Sequence, residues 1–495
     1  MTTSAGKPVE VRETVALNTD VFNNAFFYDL QTSVAHQKIP ERVVHTKGTG
    51  AFGYFEVTND VSKYTKAEVF NGIGKKTKVV TRFAVQLQNT GGSDIVRETD
   101  SLVIKFYTNE GNLDLLCFNF PVYLYRDPNL FTTTIHASGR NPKTNLFDRT
   151  GVFEYFGYTA DSIHMLLWLL SDYGIPNGYR KMDAFPIHTY ELTNKHGESY
   201  FVKFNFRTEQ GIELLTSSAA RTLRAIDPDY SVRDLYNAIA RGDFPAWQLE
   251  MDVIAKSDLE KLDYNPFDVI RTWKNGTYHT VPIGRLVLNR NPDNFFKDVE
   301  QAAYNPGNLV PGIPGPRDLM FRARRFAYRD AQSYRLGINH NKIQVNCPIH
   351  SKLYSRDGMP AVLDNMRDAP NYYQNSFNGP APFVDTARPK ESLLIYDRNA
   401  VDLQPSADFY NTYVTTEDHR NRMAENIALG ILNVPELVQN RTLGLLFLVD
   451  RDLGTRATVA LATVKQARSA LTPALTVVGQ TPRTLGLAQN VRNAT

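Results

Sequence analysis

The sequence predicts an α+β fold in which an antiparallel β core comes first, an extended segment wraps over it, and a small helical domain follows. Three observations carry that expectation. Strand-like patterning dominates residues 42 to 290, prolines recur without sustained periodicity from about 305 to 405, and helical spacing takes over after about 410. The expected divisions are an N-terminal arm over 1–41, a β domain with helical insertions over 42–290, a wrapping segment over 291–405 and a helical domain over 406–495.

Within the β region, Val202, Phe204 and Phe206 alternate with Lys203, Asn205 and Arg207, which gives one apolar and one polar face. The run from His188 to Leu192 is also strand-like. Asn194 to Gly197 lies between the two with turn-forming residues at both ends, so the pair is expected as an antiparallel hairpin. Leu102 to Tyr107 and Pro121 to Tyr125 are expected as further strands of the same sheet. Helices are predicted at Ile163 to Leu170 and at Val232 to Ala240, the latter after the turn chemistry of Asp227-Pro228-Asp229. In the wrapping segment, whose prolines run from Pro306 to Pro389, one helix is expected from Asp318 to Asp330. Beyond it, Met423, Ile427 and Ile431 recur every four residues along one helix face.

Composition excludes several classes. The 495 residues are 42% hydrophobic and 22% charged, as in a globular protein with an ample core. A net charge of +3 is too small for a long nucleic-acid track, so no nucleic-acid partner is expected. The only cysteines, Cys117 and Cys347, exclude a disulfide scaffold and a four-cysteine zinc site and suit a reducing compartment. The longest apolar runs, Met165 to Leu170 and Leu443 to Val449, fall far short of the ~18 residues that would span a membrane. Residues 1–15 lack a basic start followed by an apolar stretch, and Arg492 to Thr495 is not a peroxisomal Ser-Lys-Leu signal. An intracellular protein, cytoplasmic or peroxisomal, is the expectation.

Gly48, Gly50 and Gly53 satisfy the dinucleotide pattern G-x-G-x-x-G, but that chemistry needs a helix after the third glycine, and Tyr54 to Val57 has the pattern of a strand. The ten histidines form no H-E-x-x-H and have no Cys-x-x-Cys partner, so a zinc hydrolase has little support. Most are expected to be structural. His45 differs because of its setting.

The run Ile39-Pro-Glu-Arg-Val-Val-His45-Thr-Lys-Gly48, followed by Ala51-Phe-Gly-Tyr-Phe-Glu-Val57, resembles the distal histidine segment of the haem catalases. The resemblance continues through Arg82-Phe83, Lys105 to Thr108, Arg126 to Pro128, Asp227 to Leu235, Asn265 to Asp268, Leu288 to Pro292, Arg324 to Tyr328, Val345 to Pro348 and Ala369 to Tyr373. It covers about residues 35 to 440 and implies a catalase-like fold with an antiparallel β-barrel core. It also implies haem b with its iron, a peroxide substrate and a homotetramer.

By resemblance, Tyr328 is the haem ligand, a phenolate being one of the protein groups that hold haem iron. Arg324 lies four residues earlier, on the same face if the segment is helical, where a guanidinium favours the phenolate through its charge and a hydrogen bond. His188 and Asp318 match the proximal network. Arg42, Arg82 and Arg335 match arginines near the propionates or proximal face, and Val44 and Phe131 match haem-packing positions. For NADPH the pattern is mixed: His164, Ser171 and Trp273 match, while Tyr173, Asn205, Arg207 and Asn275 depart from it, so NADPH stays open.

The distal half departs further. Where the family reads Val-Gly-Asn-Asn-Thr-Pro, this chain has Leu116-Cys117-Phe118-Asn119-Phe120-Pro121, so Phe118 replaces the catalytic asparagine; Asn119, one residue along a strand, points to the opposite face. The family's Arg-Phe-Ser becomes Arg82-Phe83-Ala84, which removes the hydroxyl that bonds the far nitrogen of the distal histidine. The family's Gly-Glu-x-Gly-Ser-Ala-Asp-Thr-x-Arg-Asp-Pro-Arg-Gly-Phe becomes Gln88-Asn-Thr-Gly-Gly-Ser-Asp-Ile-Val-Arg-Glu-Thr-Asp-Ser-Leu102, and Gln86 and Glu98 stand where a channel-lining valine and aspartate are usual. His45 remains as catalytic acid–base. Losing one positioned donor costs ~10² to 10³ in rate, so hydrogen peroxide disproportionation is expected to be impaired, and an apolar pocket suits organic, fatty-acid-type hydroperoxides. Weak residual catalase activity and a non-catalytic haem-binding or structural protein are the alternatives.

Overall fold

A computed structural model describes residues 1–15, 20–361, 366–373, 377–383, 385 and 403–478. Eight strands form one antiparallel sheet: β1 (Gly48–Val57), β2 (Lys76–Val85), β3 (Asp100–Thr108), β4 (Gly111–Phe118), β5 (Tyr190–Thr193), β6 (Ser199–Thr208), β7 (Ala246–Ala255) and β8 (His279–Arg290). Their order is β4-β3-β2-β1-β8-β7-β6-β5. The two ends of this curled sheet meet through residues 184 and 185: Phe185 bridges to Phe118 at the end of β4, and Ala184 bridges to Phe206 in β6. The result is the expected β-barrel.

Phe55, Phe83, Phe106, Phe204 and Trp247 fill its interior from alternate strand positions. The glycines of β1 serve close strand approach. A Cβ on Gly48 would stand 2.1 Å from the Phe83 carbonyl oxygen, and one on Gly53 would stand 1.9 Å from that of Val287.

The β5–β6 hairpin forms as expected, with the Gly197 N–H donating to the Asn194 carbonyl at 3.1 Å and Gly197 at φ +81°. β6 alternates as expected, with Val202, Phe204 and Phe206 in the barrel core and Lys203 and Asn205 on the other face, where Lys203 donates to the carbonyls of Ile187 and Arg271 and Asn205 donates to Asp252. One strand expectation needs correction. Pro121 to Tyr125 is not a strand. Pro121 has no N–H to offer a ladder, and the stretch instead lays Val122, Leu124 and Tyr125 into a second apolar core.

That second core joins the helix Ile163–Leu170 to the C-terminal helices Gln404–Tyr413, Glu417–Ile431, Glu436–Val449 and Arg451–Val478. Met423, Ile427 and Ile431 are all buried in it. The helix Tyr230–Arg241 covers the predicted 232–240, and Leu319–Leu336 begins at an Asp318 N-cap, whose carboxylate accepts from the Phe321 N–H at 2.8 Å. Expectations for 386–402, Pro389 included, and for residues past 478 lie outside the described residues. Among the described residues no helix is long and apolar enough to cross a membrane.

Candidate functional site

His45 precedes β1 with φ at +63°, the left-handed region that costs a non-glycine residue energy and persists only where surroundings enforce it. Here they do. Its N–H donates to the Gln86 carbonyl at 2.7 Å, and Arg82 donates to the carbonyls of His45 at 2.6 Å and Thr46 at 2.8 Å. Burial, reinforced by the Arg82 charge, pushes the imidazole down to about 3. It is therefore neutral at ordinary pH, with one nitrogen lone pair free to take a proton.

The register of β2, β3 and β4 sets Ala84, Ser101 and Phe118 in one row, each opposite the next. Directly opposed residues share a sheet face. Phe118 is buried and stacks on His45 with ring centroids 6.0 Å apart. Ser101 Oγ lies 3.3 Å from His45 Nδ1 and 3.0 Å from the Ala84 carbonyl oxygen. Ala84 carries no hydroxyl, and the nearest one to the imidazole comes from Ser101 on the neighbouring strand. Asn119 faces away from this row: its Oδ1 accepts from the Asp100 N–H and its Nδ2 donates to the Tyr173 carbonyl.

A second chain of contacts runs Asp318–His188–Arg324–Tyr328. Asp318 Oδ2 lies 2.9 Å from His188 Nδ1, Arg324 Nη1 lies 2.7 Å from His188 Nε2, and Arg324 Nη2 donates to the Tyr328 oxygen at 3.4 Å. Arginine can only donate, so Nε2 accepts and the proton sits on Nδ1, which donates to the carboxylate. Burial holds His188 below its ordinary value despite Asp318, so it is a neutral relay. Burial opposes the charge on Arg324, but Tyr328 and Tyr123 outweigh it and raise its affinity for the proton. Ile187, at φ +62°, turns the backbone just before His188.

Arg42, Arg82 and Arg335 form a third group. Arg42 and Arg335 both donate to the carbonyls of Glu300 and Ala302, and both lie beside the Glu300 carboxylate, at 3.2 and 3.7 Å. Burial and then the Arg42 charge push Arg82 and Arg335 each down to about 9. Val44 adjoins His45 in sequence, whereas Phe131 is 36% exposed on the helix Leu130–Ala137 and shares no described ring contact with the cluster.

A cleft of about 910 Å³ is lined by Val44, Thr46, Gln86 and Glu98 near the His45 segment and by Phe153, Leu169 and Leu429 farther out. Another, of about 610 Å³, gathers His164, Trp273, Tyr173, Asn205, Arg207 and Asn275, while Ser171 is buried outside its lining. Sequence reasoning missed Ser101, Glu300 and Tyr123. Tyr123 stacks on Phe118 at 5.9 Å, and the Arg324 guanidinium lies 5.6 Å from its ring centre. No local pattern marks these residues, since their partners come from other strands or distant segments.

The catalase family model matches residues 2–379. The chain is 39% identical over 466 residues to a catalase of Cavia porcellus, covering 92% of this chain and 88% of that protein. With a catalase of Methanosarcina barkeri it shares 42% identity over 433 residues, 86% of each. Among solved structures, a fungal catalase superposes with a TM-score of 0.88 at 31% identity, covering 94% of this chain and 96% of that one. Catalase A from Saccharomyces cerevisiae gives 0.87 at 32% identity, with 93% and 98% covered. The chain belongs to the catalase family.

Membership implies haem and a peroxide substrate, and the residues fit that group. Tyr328 offers a phenol oxygen already braced by a buried cation. Arg42 and Arg335 share one carboxylate, Glu300, whose charge also acts on Arg82, so three guanidiniums face one carboxylate, a surplus of positive charge matched to a dianionic propionate pair. Arg82 Nε and Arg324 Nε are buried without a hydrogen-bond partner.

Proposed function

We propose that this protein holds haem b through Tyr328, with Arg42, Arg82 and Arg335 on its carboxylates, and converts peroxides with His45 as the proton carrier. Organic hydroperoxides with apolar chains are its preferred substrates over hydrogen peroxide. Haem, when bound, supplies the redox chemistry that breaks the peroxide O–O bond. His45 takes the proton from the bound hydroperoxide and returns it to the departing oxygen, as general acid–base chemistry requires.

The observation that carries the preference is the apposition of Phe118 to His45. An apolar ring in the donor's place cannot hold a small peroxide by a hydrogen bond, and it offers contact to a hydrocarbon chain. The larger cleft supports the same choice: Phe153, Leu169 and Leu429 give it an apolar lining, and Arg221 and Arg224 add cations suited to a carboxylate head.

A nicotinamide nucleotide has no part in this proposal. In the smaller cleft, Arg207 is committed to Asp183 and Glu250, and Lys274 to Asp263. A homotetramer is the assembly proposed, and light scattering measures it directly. The test of function is a side-by-side assay of haem-loaded protein with hydrogen peroxide and a fatty-acid hydroperoxide. Faster consumption of the organic substrate is expected. Oxygen release at the rate of an intact catalase, without organic turnover, would refute the preference, and no turnover of either would leave a haem carrier.

A further inference from the structure

We propose that Ser101 is the positioning residue of His45, a hydroxyl brought across the β2–β3 pair to the far nitrogen of the imidazole in place of the one that Ala84 lacks. When the family's segment is set against Gln88 to Leu102, its glycine falls on Ser101, as its serine falls on Ala84. These two positions are register partners. The hydroxyl lost from one strand is regained directly opposite, on the same face.

The hydrogen bonds also assign the protons. The Ala84 carbonyl oxygen can only accept, so the Ser101 hydroxyl donates to it at 3.0 Å. The oxygen of Ser101 then accepts from His45 Nδ1–H at 3.3 Å. That leaves Nε2 as the nitrogen with the lone pair, the one able to take a proton from a substrate. With the backbone already pinned by Gln86 and Arg82, Ser101 joins the Ala84 and Val85 backbone and the Phe118 ring in holding the rotation of the imidazole. In the row Ala84–Ser101–Phe118 the acid–base half of the site is therefore kept while the donor half is replaced. Simple decay has no reason to rebuild the hydroxyl on the next strand.

The inference rests on His45 being the proton carrier, and its test separates the two. Haem-loaded Ser101→Gly, Ser101→Ala and the double variant Ala84→Ser/Ser101→Gly are compared with the parent for peroxide turnover and for cyanide affinity by absorbance. Hydrogen cyanide must surrender its proton to a base as it binds, so its affinity reports the state of His45 independently of turnover. Each single variant should lose about 10- to 100-fold in turnover and bind cyanide more weakly at unchanged Tm and haem content, by analogy with residues that orient a ligating histidine. The double variant should recover both properties. Single variants within about twofold of the parent in both readouts, well inside that expected loss, would overturn the assignment. So would a loss that the double variant does not recover. If the parent converts no peroxide, a rescued cyanide effect upholds the role of Ser101 while the peroxide proposal fails.

Discussion

Phe118 lies against His45 with ring planes 23° from parallel and centroids 6.0 Å apart. The contact joins the most changed residue of the site to the one that retains its chemistry. Because Ser101 already supplies a hydroxyl to His45, Phe118→Asn alone is expected to raise oxygen evolution from hydrogen peroxide by ~10² to 10³, the worth of one positioned donor. Adding Ala84→Ser should bring little more. An oxygen electrode checks this, with haem content measured in parallel. No gain with haem still bound would place the limit in the altered channel segment around Gln86 and Glu98.

Tyr328→Phe should abolish the absorption bands of a tyrosinate–haem complex. The phenol oxygen is the group that Arg324 braces, and the phenylalanine ring offers no ligand in its place. An unchanged spectrum would reject Tyr328 as the ligand.

Removing one cation from the arginine group should act in opposite directions on the two forms of the protein. Arg335→Gln relieves repulsion with Arg42 when no anion is present, and removes a charge-assisted partner when haem is bound. Haem transfer to an acceptor protein should speed up by about tenfold or more, the equivalent of at least ~1.4 kcal/mol. The gap in Tm between haem-loaded and haem-free protein should narrow.

Acid should destabilise the fold through buried neutral histidines. His164, whose Nδ1 lies 2.8 Å from the Ile270 carbonyl, is pushed down to about 4 by burial, and His45 to about 3, from an ordinary 6.5. Below about pH 6.5 the unfolded chain binds protons that the folded one does not, so stability falls as pH drops toward 4 and is fully present above 6.5. His164→Gln should remove roughly 2 kcal/mol of the stability difference between about pH 7 and pH 5, read from urea unfolding. An unchanged difference would mean that His164 is protonated in the fold.

The sequence by itself determined what local pattern and helical spacing encode: the β5–β6 hairpin, a helix in the segment after Asp318, the Glu417–Ile431 helix, and Arg324 one turn before Tyr328. It also marked His45, Phe118 and Ala84 as the site's retained and altered residues, through a resemblance spread over most of the chain. It erred at Pro121 to Tyr125, where an apolar run does not reveal that the chain has left the sheet. Only the tertiary structure decided that Arg42 and Arg335 share Glu300, that Tyr123 packs against both Phe118 and Arg324, and that Ser101 comes within 3.3 Å of the His45 imidazole. The reason is register. A strand's own residues say which side chains share its faces, but which residue of the next strand lies opposite is set by hydrogen bonds between segments, and the hydroxyl of this site crosses from one strand to another on that pairing alone.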